Sequence, residues 1–159
     1  GVWNVVQAVG EGQTEAEKRL IEAYNNHQVA GEREVPVLFE EADGLWLSMQ
    51  RGSREGSFKG KKEMKIGIVY EGWAQRYPCS EEYKTVEKMA FAGYMKAEEF
   101  KVLRDAVVAE KYNTDEIWYR ILNGDGATWI GAGHDTEGCL FQLDPVSAPD
   151  KCPGVAQVV

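Results

Sequence analysis

Two aspartates, Asp43 and Asp125, each stand at the end of an apolar run and are each followed at once by glycine. The runs read Val-Leu-Phe-Glu-Glu-Ala-Asp-Gly over 37–44 and Ile-Leu-Asn-Gly-Asp-Gly over 121–126. Carboxylates are the hard oxygen ligands that Mg²⁺ prefers, and phosphoryl-transfer enzymes hold their metal ions with such acids. One interpretation of the pair is therefore a divalent-metal site.

The alternative interpretation is that both Asp-Gly pairs are turns. Asp bonds readily to its own backbone and Gly tolerates positive φ, so the two residue types dominate turns. Spacing alone favours turns. A metal site needs more, because the two acids must meet at one edge of a sheet, and the surrounding elements decide whether they can.

Hydrophobic periodicity and turn residues predict those elements. A helix is expected to begin near Gln13, where Thr14 and Glu17 have the spacing of a capping box. Pro36 marks the entry to the first strand. The full prediction is a helix over 13–26, strands over 37–49, 64–70 and 86–94, a helix over 96–111, a strand over 117–122, a short helix over 127–132 and a strand over 139–143.

The order after the first helix is β-β-β-α-β-α-β. Strands joined without helices form an antiparallel meander, whereas helix-linked strands run parallel, so a mixed α/β sheet is expected. If the fourth strand lies parallel beside the first, Asp43 and Asp125 come together. This is the ribonuclease-H-like topology.

Composition limits the class of protein. The formal net charge of -8 argues against a broad nucleic-acid-binding face, but metal-binding acids add negative charge locally, so a nuclease-type site is not excluded. The three cysteines include no Cys-x-x-Cys pair, which indicates reduced thiols of a cytoplasmic protein. The sequence shows neither a membrane span nor a signal peptide. The chain begins with Gly1 inside a helix-like pattern, so we expect a piece of something longer.

Two further acids could assist the pair. Strand alternation puts Glu41 on the same face as Asp43, where it is either a substitute ligand or an exposed edge acid. Asp144 ends the last predicted strand, and either joins the metal site or caps the turn before Pro145.

The segment over 50–62 is rich in glycine and in cations, which indicates a flexible basic loop. It is either a contact for DNA phosphates or a solvated loop. The candidate DNA contacts are Arg51, Arg54, Lys59, Lys61 and Lys62. Tryptophans 46, 73, 118 and 129 lie in or beside strands and are interpreted as packing residues rather than base-stacking platforms.

Three strings carry a family resemblance: Val-Pro-Val-Leu-Phe-Glu-Glu-Ala-Asp-Gly over 35–44, Lys-Ile-Gly-Ile-Val-Tyr-Glu-Gly-Trp over 65–73 and Ile-Leu-Asn-Gly-Asp-Gly-Ala-Thr-Trp-Ile over 121–130. From about Val2 to Asp144 the chain resembles the Lre-type bacterial insertion-sequence transposases, a family long described only as uncharacterised. The resemblance implies an Asp-Asp-Glu transposase with a ribonuclease-H-like core that cuts and joins double-stranded DNA, at transposon ends and target, with Mg²⁺ or Mn²⁺. Asp43 would be the first metal-binding acid and Asp125 the second, and a homo-oligomer is possible. The resemblance favours the metal site over the turns.

The chain departs from the family pattern after Asp144, where three prolines fall within nine residues and exclude the helix that the family has there. The third carboxylate would lie beyond this point, so a truncation or frameshift is expected. We expect an N-terminal helical segment over 1–34, a partial catalytic core over 35–144 and an irregular tail over 145–159, with little or no strand transfer by this chain alone. Two alternatives remain: a non-catalytic remnant that binds DNA or transposase subunits, and a ribonuclease-H-like nuclease that acts on RNA·DNA hybrids.

Overall fold

A computed structural model of the chain describes residues 2–48, 60–131 and 138–144. These residues form three α-helices, one short 3₁₀ helix and seven strands. In chain order they are α1 (Val2–Asn25), β1 (Val37–Ser48), β2 (Lys61–Tyr70), β3 (Gly72–Gln75), β4 (Tyr83–Val86), β5 (Met89–Gly93), α2 (Ala97–Lys111), the 3₁₀ helix (Thr114–Glu116), β6 (Tyr119–Gly124), α3 (Thr128–Gly131) and β7 (Cys139–Leu143).

Five of the strands form one mixed sheet in the order β5-β2-β1-β6-β7. β2 is antiparallel to both β1 and β5, whereas β6 is parallel to both β1 and β7. The predicted mixed α/β sheet is confirmed, and so are the antiparallel meander and the placement of the fourth strand of this sheet parallel beside the first. β3 and β4 form a separate two-stranded hairpin.

The core lies between one face of the sheet and α2. Alternation along β1 and β2 turns Leu38 and Val69 toward α2, which buries Phe100 and Leu103 against them. Full burial of such a side chain contributes roughly 1.5–3 kcal/mol. α1 packs its Ile21 against the same cluster. A second cluster, under α3, contains Ala42, Leu122 and Ile130.

The strand predicted over 86–94 occurs as β5 but is shorter, Met89–Gly93, and Val86 ends a separate strand, β4. Glu87 has a φ of 53°, a left-handed conformation that interrupts extended backbone. The strand before it, β4, pairs with β3, while the strand after it, β5, pairs with β2. Strand propensity on both sides of Glu87 concealed this break.

The predicted start of the first helix is also wrong, since α1 begins at Val2. Thr14 lies inside this helix, and its hydroxyl donates to the Gly10 carbonyl oxygen at 2.9 Å instead of capping an N-terminus. Glu17 accepts a hydrogen bond from the Gln13 amide at 3.1 Å. The capping-box spacing was therefore accidental.

The other boundaries differ by a few residues. β6 begins at Tyr119 rather than at 117, because the backbone N–H groups of Trp118 and Tyr119 both donate to the Pro36 carbonyl. β2 begins at Lys61, within the predicted basic loop. The helix over 96–111 and the strand over 139–143 are confirmed, and α3 is shorter than predicted. Residues 49, 132 and 145–159, with the predicted tail, lie outside the described residues.

None of the helices in the described ranges has both the length and the apolar character needed to cross a membrane.

Candidate functional site

The register of the three parallel strands brings the predicted acids into one row. Ala42 of β1 is opposite Gly124 of β6, which in turn is opposite Leu143 of β7. The next residue on each strand is an aspartate: Asp43, Asp125 and Asp144. The backbone N–H of Asp144 donates to the Gly124 carbonyl at 2.8 Å, which extends the pairing to the end of the row.

These three aspartates line one open pocket of about 700 Å³ on the sheet face opposite α2. Glu41 lies on the same face, two residues before Asp43, and also lines the pocket. The amide side chains of Asn123 and Gln142 belong to residues that line the same pocket. The structure thus brings together all four acids that the sequence singled out.

The two Asp-Gly pairs differ in conformation. Asp43 and Gly44 are both inside β1, paired with Ile66 and Lys65 of β2, so the turn interpretation is wrong there. Asp125 does begin a turn: its Oδ1 accepts from the Ala127 N–H at 2.9 Å, and Gly126 has a φ of 85°. Asp43 Oδ1 accepts from the Gly44 N–H at 2.7 Å.

The oxygen-rich lining suits a hard cation. Mg²⁺ is often held by only one or two carboxylates, with waters and substrate phosphates completing its shell. Asp43, inside β1, and Asp125, directly after β6, would supply that minimum from adjacent parallel strands, with Asp144 next in the row. Among the described residues no group of three His, Cys, Asp or Glu side chains stands ready to enclose a metal.

Glu41 is held by a neighbour in the pocket wall. The Tyr70 hydroxyl donates to Glu41 Oε1 at 2.7 Å. Burial raises the pKa of Tyr70, and the hydrogen bond to the Glu41 carboxylate raises it further. Tyr70 therefore remains a neutral donor at any ordinary pH. The predicted placement of Glu41 on the same face as Asp43 is confirmed, and its role as a ligand stays a prediction.

An aromatic cluster forms the other end of the pocket. Phe39 stacks on Tyr70 with ring centroids 5.7 Å apart. Trp73 contacts both, at 4.7 Å from Phe39 and 5.2 Å from Tyr70. Sequence reasoning missed this cluster as part of the site. The alternation of side chains along β2 puts Tyr70 on the same face as Ile66 and Ile68. Only the register of β2 on β1 shows that this is also the face of Phe39 and Asp43.

The interpretation of the tryptophans as packing residues needs correction. Trp129 packs against the core as predicted. Trp46, Trp73 and Trp118 are 61%, 54% and 68% exposed, so most of their surface packs against nothing in the described residues.

A buried charge cluster lies behind the row of acids, on the opposite face of the sheet. Glu40 is 1% exposed and accepts hydrogen bonds from both Arg120 Nε and Arg120 Nη2. Arg104 of α2 lies 3.2 Å from Glu40, and Arg120 Nη1 donates to Asp105 at 2.8 Å. Burial alone would lower the pKa of Arg120, but the charges and hydrogen bonds of Glu40 and Asp105 outweigh it and raise that pKa. The cluster joins β1, β6 and α2, the elements that set the row.

Only two of the five candidate DNA contacts, Lys61 and Lys62, lie within the described residues. Lys61 and Lys62 begin β2, opposite Ser48 and Leu47, and neither lines the pocket. Lys62 Nζ lies 4.8 Å from the centre of the Tyr94 ring. Arg51, Arg54 and Lys59 lie outside the described residues. Contact of all five with DNA stays a prediction.

Fold and pocket together define a mixed α/β protein with an acidic pocket over three adjacent parallel strands, at the carboxyl ends of β6 and β7 and beside Asp43 within β1. The chain belongs to the Uncharacterised protein family UPF0236, whose family model matches residues 4–147. The matched region contains every described element except the start of α1. A search of curated proteins found no match to this chain.

Proposed function

We propose that this protein is the catalytic part of a DNA transposase of the Asp-Asp-Glu class, which cleaves and joins strands by metal-dependent phosphoryl transfer. The observation that carries the proposal is the row of Asp43, Asp125 and Asp144 across three adjacent parallel strands, in one open pocket. Adjacent parallel strands hold carboxylates in fixed positions, as phosphoryl transfer requires.

The sheet supports a ribonuclease-H-like core. Counted along the five-stranded sheet, the strands occur in the order third, second, first, fourth, fifth, and only the second runs against the others. This is the β-β-β-α-β-α-β topology predicted from the sequence, with the β3–β4 hairpin inserted after the second strand. The same topology is what the resemblance to insertion-sequence transposases implies.

Asp43 and Asp125 are proposed to hold Mg²⁺ or Mn²⁺, with Asp144 and Glu41 as accessory acids. A bound divalent ion would stabilise charge on the phosphoryl group and activate the attacking oxygen. The four acids by themselves repel a DNA phosphate, so binding of DNA in this pocket must depend on the metal. The resemblance puts the third carboxylate of the class after residue 144, outside the described residues.

Double-stranded DNA is the proposed substrate, with Arg51, Arg54, Lys59, Lys61 and Lys62 as phosphate contacts. Such contacts position DNA without reading its sequence. Assembly of several copies on the DNA is part of the same proposal.

Metal-dependent DNA binding tests the proposal. The full chain is titrated into a fluorescently labelled DNA duplex with Mn²⁺ or with chelator, and anisotropy is recorded. We expect Mn²⁺ to increase the affinity, and Asp43→Asn or Asp125→Asn to remove that increase. Glu81→Gln, which changes an exposed acid on the β3–β4 connection, is the matched control and should retain it. Equal binding with and without Mn²⁺ would contradict the proposal.

A second candidate is binding without cleavage, since no ready three-acid group occurs in the described residues. A nicking assay on the same duplex tests the non-catalytic candidate, because cleavage in Mn²⁺ would exclude it. Intact strands would not distinguish the two, since little or no strand transfer is expected of this chain alone. An RNA·DNA hybrid, run in parallel, identifies a hybrid nuclease if it alone is cleaved.

A further inference from the structure

We infer that Trp73 is a stacking platform for an unpaired DNA base, placed in the same pocket as the metal-binding acids. The inference rests on the proposed function, because it names how the substrate is held at that site.

The indole of Trp73 is both fixed and exposed. Two rings hold it, Phe39 at 4.7 Å and Tyr70 at 5.2 Å, and the second contact is edge-to-face. Its side nevertheless remains open, with 54% of the residue exposed. A large aromatic surface left in water costs free energy that folding alone does not recover, so a ligand that covers it gains that energy.

The supports of Trp73 are themselves rigid. Tyr70 is 1% exposed and is anchored by its hydrogen bond to Glu41. Phe39 stacks nearly parallel on Tyr70, with 16° between the ring planes. Because the ring is already ordered, little conformational entropy is lost when a ligand stacks on it.

The distance to the acids fits a nucleic-acid strand. Phe39 and Asp43 lie on one face of β1 and are four residues apart, which is about 13 Å at the rise of a strand. Stacked nucleotides of one DNA strand are spaced by about 3.4 Å. A strand with one phosphate at the acids would therefore reach Trp73 within about four nucleotides, or fewer if it is extended.

The chemistry of the pocket selects the ligand class. Acids that carry a divalent ion bind phosphate oxygens, while an aromatic ring binds flat π-faces or apolar groups. A nucleotide presents both groups on one chain. In a duplex the base faces are covered by their neighbours, so Trp73 is open only to a base that has left the stack.

The test compares a short oligothymidylate with its abasic counterpart, both fluorescently labelled, in Mg²⁺. Loss of one base–aromatic stack weakens binding by between about fivefold and a hundredfold. We expect the wild-type chain to bind the oligothymidylate more tightly than the abasic strand by such a factor. Trp73→Ala should remove that preference and Trp73→Phe should keep most of it. Trp118→Ala, which removes a more exposed indole at the opposite end of the parallel strands, should not change it.

Each outcome assigns the failure to one claim. If wild type binds both strands equally in Mg²⁺, or if Trp118→Ala acts as strongly as Trp73→Ala, the inference is overturned. If, in that case, binding of the strands still depends on Asp43, the proposed function stands although the stacking role of Trp73 is overturned. A base preference that requires Trp73 but not Mg²⁺ or Asp43 supports stacking and counts against the metal site. Absence of any binding overturns both. The abasic comparison uses unaltered protein, so misfolding of a variant cannot decide the result.

Discussion

Glu40 shows how single residues support the site without belonging to it. Its carboxylate is fully buried on the face of β1 opposite Asp43, and it is balanced by Arg104 and Arg120. A buried charge that loses its partner is costly, since the remaining ion is desolvated and uncompensated. The pairing of β1 with β6, which sets Asp43 beside Asp125, therefore depends on this ion cluster.

Arg120→Met should accordingly destabilise the protein by about 3–5 kcal/mol, measured as the free energy of unfolding in urea. The matched control is Arg76→Met, which breaks the ion pair with Glu82 in the β3–β4 connection. Both partners of that pair are more than 60% exposed, so its loss should cost less than about 1 kcal/mol. Equal effects of the two substitutions would contradict this assignment.

Glu71 predicts a pH dependence of stability. Its hydrogen bond from Arg33, and a second from the Tyr112 hydroxyl at 3.0 Å, lower the pKa of Glu71 below the ordinary value of 4.5. A lowered pKa in the folded state means that the stabilisation is complete above pH 4.5. It is lost as the pH falls through the lowered pKa of the folded state.

Glu71→Gln should therefore cost about 1–2 kcal/mol at neutral pH, a range kept small because Arg33 is half exposed. The difference between wild type and variant should shrink toward zero in acid. Urea unfolding at several pH values measures it, and a difference that grows as the pH falls would have the wrong sign.

The turn from β6 to α3 positions Asp125, and Gly124 permits it. A Cβ atom at Gly124 would lie 2.7 Å from Cγ2 of Ile130 and 3.4 Å from the Ala42 carbonyl oxygen. Ile130 is buried in the second core cluster and cannot move aside freely.

Gly124→Ala should thus lower the free energy of unfolding by about 1–3 kcal/mol, as overpacking does. The control is Gly12→Ala in the exposed middle of α1, where a Cβ meets nothing within 4 Å. Alanine there should stabilise the helix by up to about 1 kcal/mol. If Gly124→Ala were neutral, the close packing of α3 on β6 would be in doubt.

The helices and strands that were predicted best are those with a clear hydrophobic periodicity. The helix over 96–111 and the strand over 139–143 have clear periodicity, and both occur as predicted. The strand predicted over 86–94 begins later than predicted because a single left-handed residue, Glu87, separates β4 from β5. No local propensity marks that conformation for a glutamate. The start of α1 failed because Thr14 and Glu17 imitate a cap inside a longer helix.

At the scale of the whole molecule, the acids of the candidate site could be predicted from the sequence, whereas its aromatic cluster could not. Asp43 and Asp125 could be paired because the element order predicts that the fourth strand lies parallel beside the first, as it does. Trp73 could not, since its place beside Phe39 depends on the register of β2 and on the hairpin that follows it. Long-range register is not encoded in the local pattern of any one strand.

The central claim is that Asp43 of β1 and Asp125, directly after β6, form a divalent-metal site. Mn²⁺ binding to the full chain measures it most directly. Isothermal titration calorimetry should show saturable binding to the wild-type protein. Asp43→Asn and Asp125→Asn should each weaken it by at least about tenfold, while Glu81→Gln should leave it unchanged. Absence of saturable binding to the wild type, or undiminished binding to both aspartate variants, would contradict the claim.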